Sequence, residues 1–216
     1  MHYVSFIIIF LSIIIIISCA YFKSSKEGLT NNDNIILIGD SVLNNSNYVS
    51  SGNSVYDILK TKTPNVFNYS KDGATIADCY SQLDKIPLEL NKPNAHVFIS
   101  AGGNNILNAR NKMTSENIIQ LFNSYSELIN SVKSRLTNAK IYICNLYLPT
   151  NPRFQTYKPS IEQWNKLITQ NSNQIGEMYN VIDLNSLLNK PEDFVYDIEP
   201  SETGSIKIAN IIYLSQ

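Results

Sequence analysis

Histidine is almost missing from this chain of 216 residues. There are two, His2 at the extreme N-terminus and His96 at the start of an apolar run. Cysteine is nearly as scarce, with three residues. No Cys/His cluster has zinc-like spacing, so neither a metal site nor a cofactor is expected. Phosphate chemistry lacks its usual signatures: there is no Gly-Lys-Ser/Thr loop, and Asp40 has no second aspartate two positions on. Basic excess is missing as well. A net charge of −1, a pI near 6.1 and scattered lysines exclude nucleic acid as the main partner. Cys144 lies in the run Ile141 to Leu146, where a thiol behaves as a small hydrophobe. A bond from Cys144 to Cys79 is open to the chain but has no spacing signature.

What is present begins with a long apolar stretch. Tyr3 to Phe22 is broken only by three serines and Cys19, which matches the about 20 residues that cross a bilayer. The expected localisation is single-pass membrane. A cleaved signal peptide is one alternative, and Ile16-Ile17-Ser18-Cys19 resembles a bacterial lipobox, but both lack a basic n-region. Lys23 and Lys26 follow the span, and the positive-inside rule then favours a cytoplasmic domain, an orientation left open. The expected organisation is an anchor or signal segment over 1–22, a polar linker over 23–33 and one domain over 34–216.

Within that domain strand-like and helix-like segments alternate, the pattern of a parallel sheet covered on both faces. Strands are expected near 35–39, 66–69, 95–101, 140–146 and 180–183. Helices are expected near 54–62, 75–84, 114–136, 160–178 and 204–214. Residues such as Ile118, Phe122, Tyr125, Ile129 and Val132 form a helical apolar stripe, read as core. Right-handed crossovers then predict a three-layer α/β/α sandwich.

The loops after these strands carry the chemistry. Asn34 to Ile38 is a buried-strand sequence that ends in Gly39-Asp40-Ser41, placing a small potential nucleophile where open α/β sheets bind ligands. Gly73 follows the second strand, and Gly102-Gly103-Asn104-Asn105 follows the third. Glu199-Pro200 precedes the last helix. Over residues 34 to 214 these blocks resemble the SGNH, or GDSL, hydrolase family. The resemblance implies a flavodoxin-like five-stranded sheet in the order 2-1-3-4-5, with Ser41 as nucleophile. Donors to an oxyanion would be the backbone N–H groups of Ser41 and Gly73 and the Asn104 carboxamide.

Two positions depart from the family pattern. Asn105 stands where the family has Asp, and Glu199 stands before Pro200 where it has the catalytic His. A carboxylate serves as base for serine only if burial or a second acid raises its pKa, and Asp197 is close enough in sequence to be that acid. The competing role for Glu199 is to cap the last helix with Pro200 and Ser201. The expected activity is that of a serine esterase or deacetylase on a small acyl ester, possibly of carbohydrate. The competing expectation is an inactive fold that binds a glycan, an acyl group or a protein.

Overall fold

Strands rich in Ile, Val and Phe and almost free of charge can be buried on both faces only if helices cover each side of the sheet. The computed structural model, which describes residues 33–110, 113–174 and 179–215, has this arrangement. Strands β1 (Asn34–Gly39), β2 (Val66–Asn68), β3 (Ala95–Ser100), β4 (Lys140–Cys144) and β5 (Asn180–Ile182) pair in parallel in the order 2-1-3-4-5. All six residues of β1 are buried. Ile36 and Ile38 face one core, with α2 (Ile76–Asp84), α4 (Ser115–Arg135) and α5 (Lys158–Gln174). Ile35 and Leu37 face the other, with α1 (Val55–Lys62) and α7 (Glu202–Leu214). The period of two along β1 thus divides the core into two layers.

The long helices follow their capping signals. Ser54 accepts from the Asp57 N–H at the start of α1, and Thr114 forms a reciprocal capping box with Asn117 at the start of α4. Ser201 caps α7 by accepting from the Gly204 N–H at 3.2 Å, so this helix starts two residues earlier than expected. Several short elements have no sequence counterpart: α3 (Gly103–Asn108), α6 (Leu184–Leu187), 3₁₀ turns at Leu88–Leu90, Pro152–Tyr157 and Pro191–Asp193, and the hairpin of β6 (Phe194–Val195) with β7 (Glu199–Pro200). Such pieces carry too few residues to show a period.

Among the described residues no helix is long and apolar enough to cross a membrane. The expected span over 3–22 lies outside the described residues, as do residues 175–178 of the fourth expected helix. Cys79 and Cys144 are free and buried. His96 sits in the first half of β3, beside Ile35 and Lys140, with its pKa pushed down to about 4, chiefly by burial. It lies at the sheet edge opposite the loops discussed next.

Candidate active site

The turn after β1 is built around a backbone that only glycine tolerates. Gly39 has φ +139°, and a Cβ there would lie 1.9 Å from the Ser100 carbonyl oxygen. The buried Gln82 of α2 grips the same residue, accepting from its N–H at 2.7 Å and donating to its carbonyl at 2.9 Å. Asp40 and Ser41 therefore leave the sheet in a fixed direction. The Asp40 carbonyl accepts from the N–H groups of Leu43 and Asn44, which coils the chain just beyond Ser41.

Ser41 is buried, and its hydroxyl lies near enough to the Glu199 carboxylate to pull that acid's pKa down. Both residues line one cavity of about 60 Å³, together with Asp40, Asn104 and a mainly apolar wall. This is the decisive pairing of the site. Glu199 reaches it from β7, at the end of a hairpin whose turn holds Tyr196 at φ +48° and Asp197 at φ +70°. Two consecutive left-handed residues that are not glycine are costly, and such strain tends to collect at functional sites. Glu199 does not cap α7, since Ser201 does that.

The site holds several acids. Burial raises the pKa of Glu199, the Ser41 hydroxyl pulls it down and the charge of Asp72 pushes it up. Asp40 is pushed up to about 7, first by burial and against the lowering effect of hydrogen bonds from Ser100 Oγ and the Val42 N–H. The charge of Glu199 raises it further. Glu199 Oε2 is buried with no hydrogen-bond partner in the protein. A proton from Ser41 or a substrate hydroxyl would satisfy it.

Asp197 does not join this group. Its carboxylate accepts from Asn151 Nδ2 at 2.9 Å and pairs with Arg153 at 3.1 Å, on the solvent side of the hairpin. Its left-handed backbone in the hairpin turn directs it away from its near neighbour Glu199. The second acid acting on Glu199 is Asp72, which accepts from Tyr48 Oη at 2.6 Å. It comes from the loop after β2, where proximity to Glu199 leaves no trace in the sequence.

Asn104 lines the cavity from α3 and donates one N–H to the Ala74 carbonyl at 3.0 Å, leaving its second for a ligand. Gly73, at φ +72°, is the third residue of a turn closed by the Ala74 N–H on the Lys71 carbonyl. Gly73 does not line the cavity, but the bond from Asn104 pins its loop to the cavity rim. Asn105 Oδ1 accepts from the Ile76 N–H at 3.1 Å, the first residue of α2. Among the described residues no group of acids, histidines and cysteines fits a metal ion.

Two residues outside the sequence expectation hold Glu199 against Ser41. Asn45, fully buried just beyond Ser41, donates to the Pro200 carbonyl at 3.0 Å and to Ser205 Oγ at 2.6 Å, and accepts from the Val55 N–H at 3.0 Å. Tyr147 Oη donates to the Ile198 carbonyl at 2.9 Å. The residues flanking Glu199 are thus tied from two sides. Nothing distinguishes Asn45 in sequence from Asn44 or Asn47, whereas Gln82 stands out as a polar residue on the apolar face of α2.

The profile of the GDSL-like lipase/acylhydrolase family matches residues 37–205. The chain belongs to this family. No curated protein sequence matches it significantly. Among solved structures, a lipolytic G-D-S-L protein from Veillonella parvula shares 19% identity at a TM-score of 0.65, covering 82% of this chain and 94% of the other. A GDSL-like lipase structure from Parabacteroides merdae shares 16% identity at 0.67, covering 87% and 96%. The acetyl xylan esterase AlAXEase shares 15% at 0.62, covering 84% and 98%. These likenesses extend along the whole fold, and Ser41 lies in its turn after β1.

Proposed function

We propose that this GDSL-like protein is a serine esterase or deacetylase in which Glu199 replaces histidine as the base. The observation that carries the reading is that the buried Ser41 and Glu199, a carboxylate whose pKa burial has raised, line the same cavity. Serine needs a neighbour that takes its proton during attack. Ionised Glu199 accepts the proton as Ser41 Oγ bonds to the ester carbonyl carbon, and returns it to the departing alkoxide as the carbonyl reforms. Water then repeats the cycle on the acyl-enzyme. Asn104 and the N–H of Ser41 would stabilise the oxyanion, each donor contributing on the order of 100-fold or more, while Gly73 shapes the loop that Asn104 holds at the cavity rim.

The substrate class is a small acyl ester, esters of carbohydrate included, and the apolar run over 3–22 supports membrane attachment. A fluorophosphonate probe should label Ser41 of the full-length protein. Glu199→Gln keeps the shape, removes the basicity and should cut ester hydrolysis by about 100-fold or more. A folded protein that neither labels nor hydrolyses would instead be a binding module for a glycan, an acyl group or a protein.

A further inference from the structure

Asp40 lies inside the site, yet the cycle of Ser41 and Glu199 gives it no task. It is 3% exposed, and its two carboxylate oxygens have different surroundings. Oδ1 is held by its neighbours, accepting from Ser100 Oγ at 2.9 Å and from the Val42 N–H at 3.2 Å. Oδ2 lies against the turn after β3, where a Cβ added to Gly103 would be 3.9 Å from it. Gly103 directly precedes Asn104, and Asp40, Ser41, Gly103 and Asn104 all line the cavity. Asp40 thus brings Oδ2 to the side of Ser41 from which Asn104 reaches in.

The charges around Asp40 decide its state. Among the described residues no Lys, Arg or His lines the cavity, which has two carboxyl groups on its wall. The titratable groups that feel Asp40 are Cys79 of α2, Tyr125 of α4, Cys144 of β4, Tyr147 after β4 and Glu199, and none is a cation. A buried carboxyl group with no cation to answer its charge keeps its proton. Because Oδ1 already accepts two hydrogen bonds, that proton belongs on Oδ2, at the cavity. Glutamate as base makes such a donor more valuable. A histidine turns into a cation as it takes the serine proton and so opposes the new oxyanion with positive charge, whereas Glu199 turns neutral. The oxyanion in this site has only hydrogen-bond donors to answer it.

Resting on the serine esterase reading, we propose that Asp40, as the neutral acid, donates from Oδ2–H to the carbonyl oxygen of the substrate beside Asn104 and is a further catalytic residue. As the bond from Ser41 Oγ to the carbonyl carbon forms, the carbonyl π pair moves onto that oxygen, the serine proton passes to Glu199 and Asp40 keeps its own. When the carbonyl reforms, the ester C–O bond breaks and Glu199 returns its proton to the leaving alkoxide. An ionised Asp40 is an acceptor only, and it repels the same oxygen.

The test uses the full-length protein in detergent with p-nitrophenyl acetate at pH 6. Asp40→Asn is uncharged and still offers a donor, so its kcat should stay within about tenfold of the parent's. Asp40→Leu offers none, and its kcat should fall about 100-fold or more with KM little changed. Equal losses in the two variants would make Asp40 a structural acceptor for Ser100 and Val42 and overturn the proposal, as would a Leu variant as active as the parent. Ser100→Ala tests the point with Asp40 in place. It removes a hydrogen bond that holds the Asp40 pKa down, so the alkaline fall of the rate should move to higher pH while kcat at pH 6 is kept. An unmoved fall would overturn the proposal and leave Ser41 catalysis standing. If the parent hydrolyses no ester, the serine reading fails and the donor is read from binding: the carbonyl stretch of bound p-nitrophenyl acetate should lie lower in the parent than in Asp40→Leu, and equal frequencies would overturn the proposal.

Discussion

Asn45 Nδ2 donates to the carbonyl of Pro200 at 3.0 Å, joining residues 155 positions apart in the chain. One end of that bond lies four residues after the serine, and the other lies one residue after the glutamate. The bond is buried, so it is both strong and expensive to lose. Asn45→Ala strands the Pro200 carbonyl, Ser205 Oγ and the Val55 N–H. The expected loss is about 2–4 kcal/mol of stability, measured by denaturant unfolding, with a larger drop in kcat than in substrate affinity. A stability change below about 0.5 kcal/mol, within the usual range of surface substitutions, would show that the network does not hold the hairpin.

Asp40 makes stability and rate depend on pH in a defined sense. An acid whose folded-state pKa is raised stabilises the fold below its unfolded value near 3.8 and loses that contribution as pH rises through about 7. The shift corresponds to about 4 kcal/mol. Asp40→Asn keeps an acceptor for Ser100 and Val42, so its melting temperature should exceed the parent's at pH 8 but not at pH 4. The rate should rise with pH as Glu199 ionises, then fall above about 7 as a second negative charge opposes the oxyanion. The Asn variant should lack that decline, and an unchanged decline would assign it to another group.

Asp72 and Asp197 divide the electrostatics of Glu199 unequally. Removing the charge of Asp72 lets Glu199 ionise at lower pH, so Asp72→Asn should move the acid limb of the pH–rate profile downward. Asp197→Asn breaks an exposed pair with Arg153, worth about 0–1 kcal/mol, and should leave that limb in place. Equal shifts from the two variants would contradict this division.

Asn104 and Asn105 are adjacent but do different work. Asn104→Ala should lower kcat by about 100- to 1,000-fold through loss of an oxyanion donor. Asn105→Asp should stay near parent activity, because a carboxylate oxygen accepts from the Ile76 N–H equally well and an anion suits the start of α2. Steady-state kinetics on both variants separates the roles.

The sheet was legible in the sequence because its evidence is local. Asn34 to Gly39 and Ala95 to Ser100 are apolar runs that end in tight glycine turns, and no other element buries such strands on both faces. The helix starts at Ser54 and Thr114 were readable from caps. Ser41 and Asn104 were legible for the same reason, since each directly follows a recognisable strand. The boundaries of α3, the 3₁₀ turn at Pro152–Tyr157 and the β6–β7 hairpin were not, being too short for a period to emerge.

By itself the sequence determined the layered α/β architecture and brought the loops carrying Ser41, Gly73 and Asn104 to one sheet edge, because alternating hydrophobic runs and right-handed crossovers leave little choice of topology. Only the tertiary structure decided the company Glu199 keeps. Sequence distance favoured Asp197, two residues away, yet the strained hairpin turn points that carboxylate to Arg153 and Asn151. Asp72, on a different loop, supplies the second charge. Which side chains meet across loops depends on backbone direction at the turns and on buried ties such as Asn45, and a polar residue in a loop carries no local signal of the partner it will find.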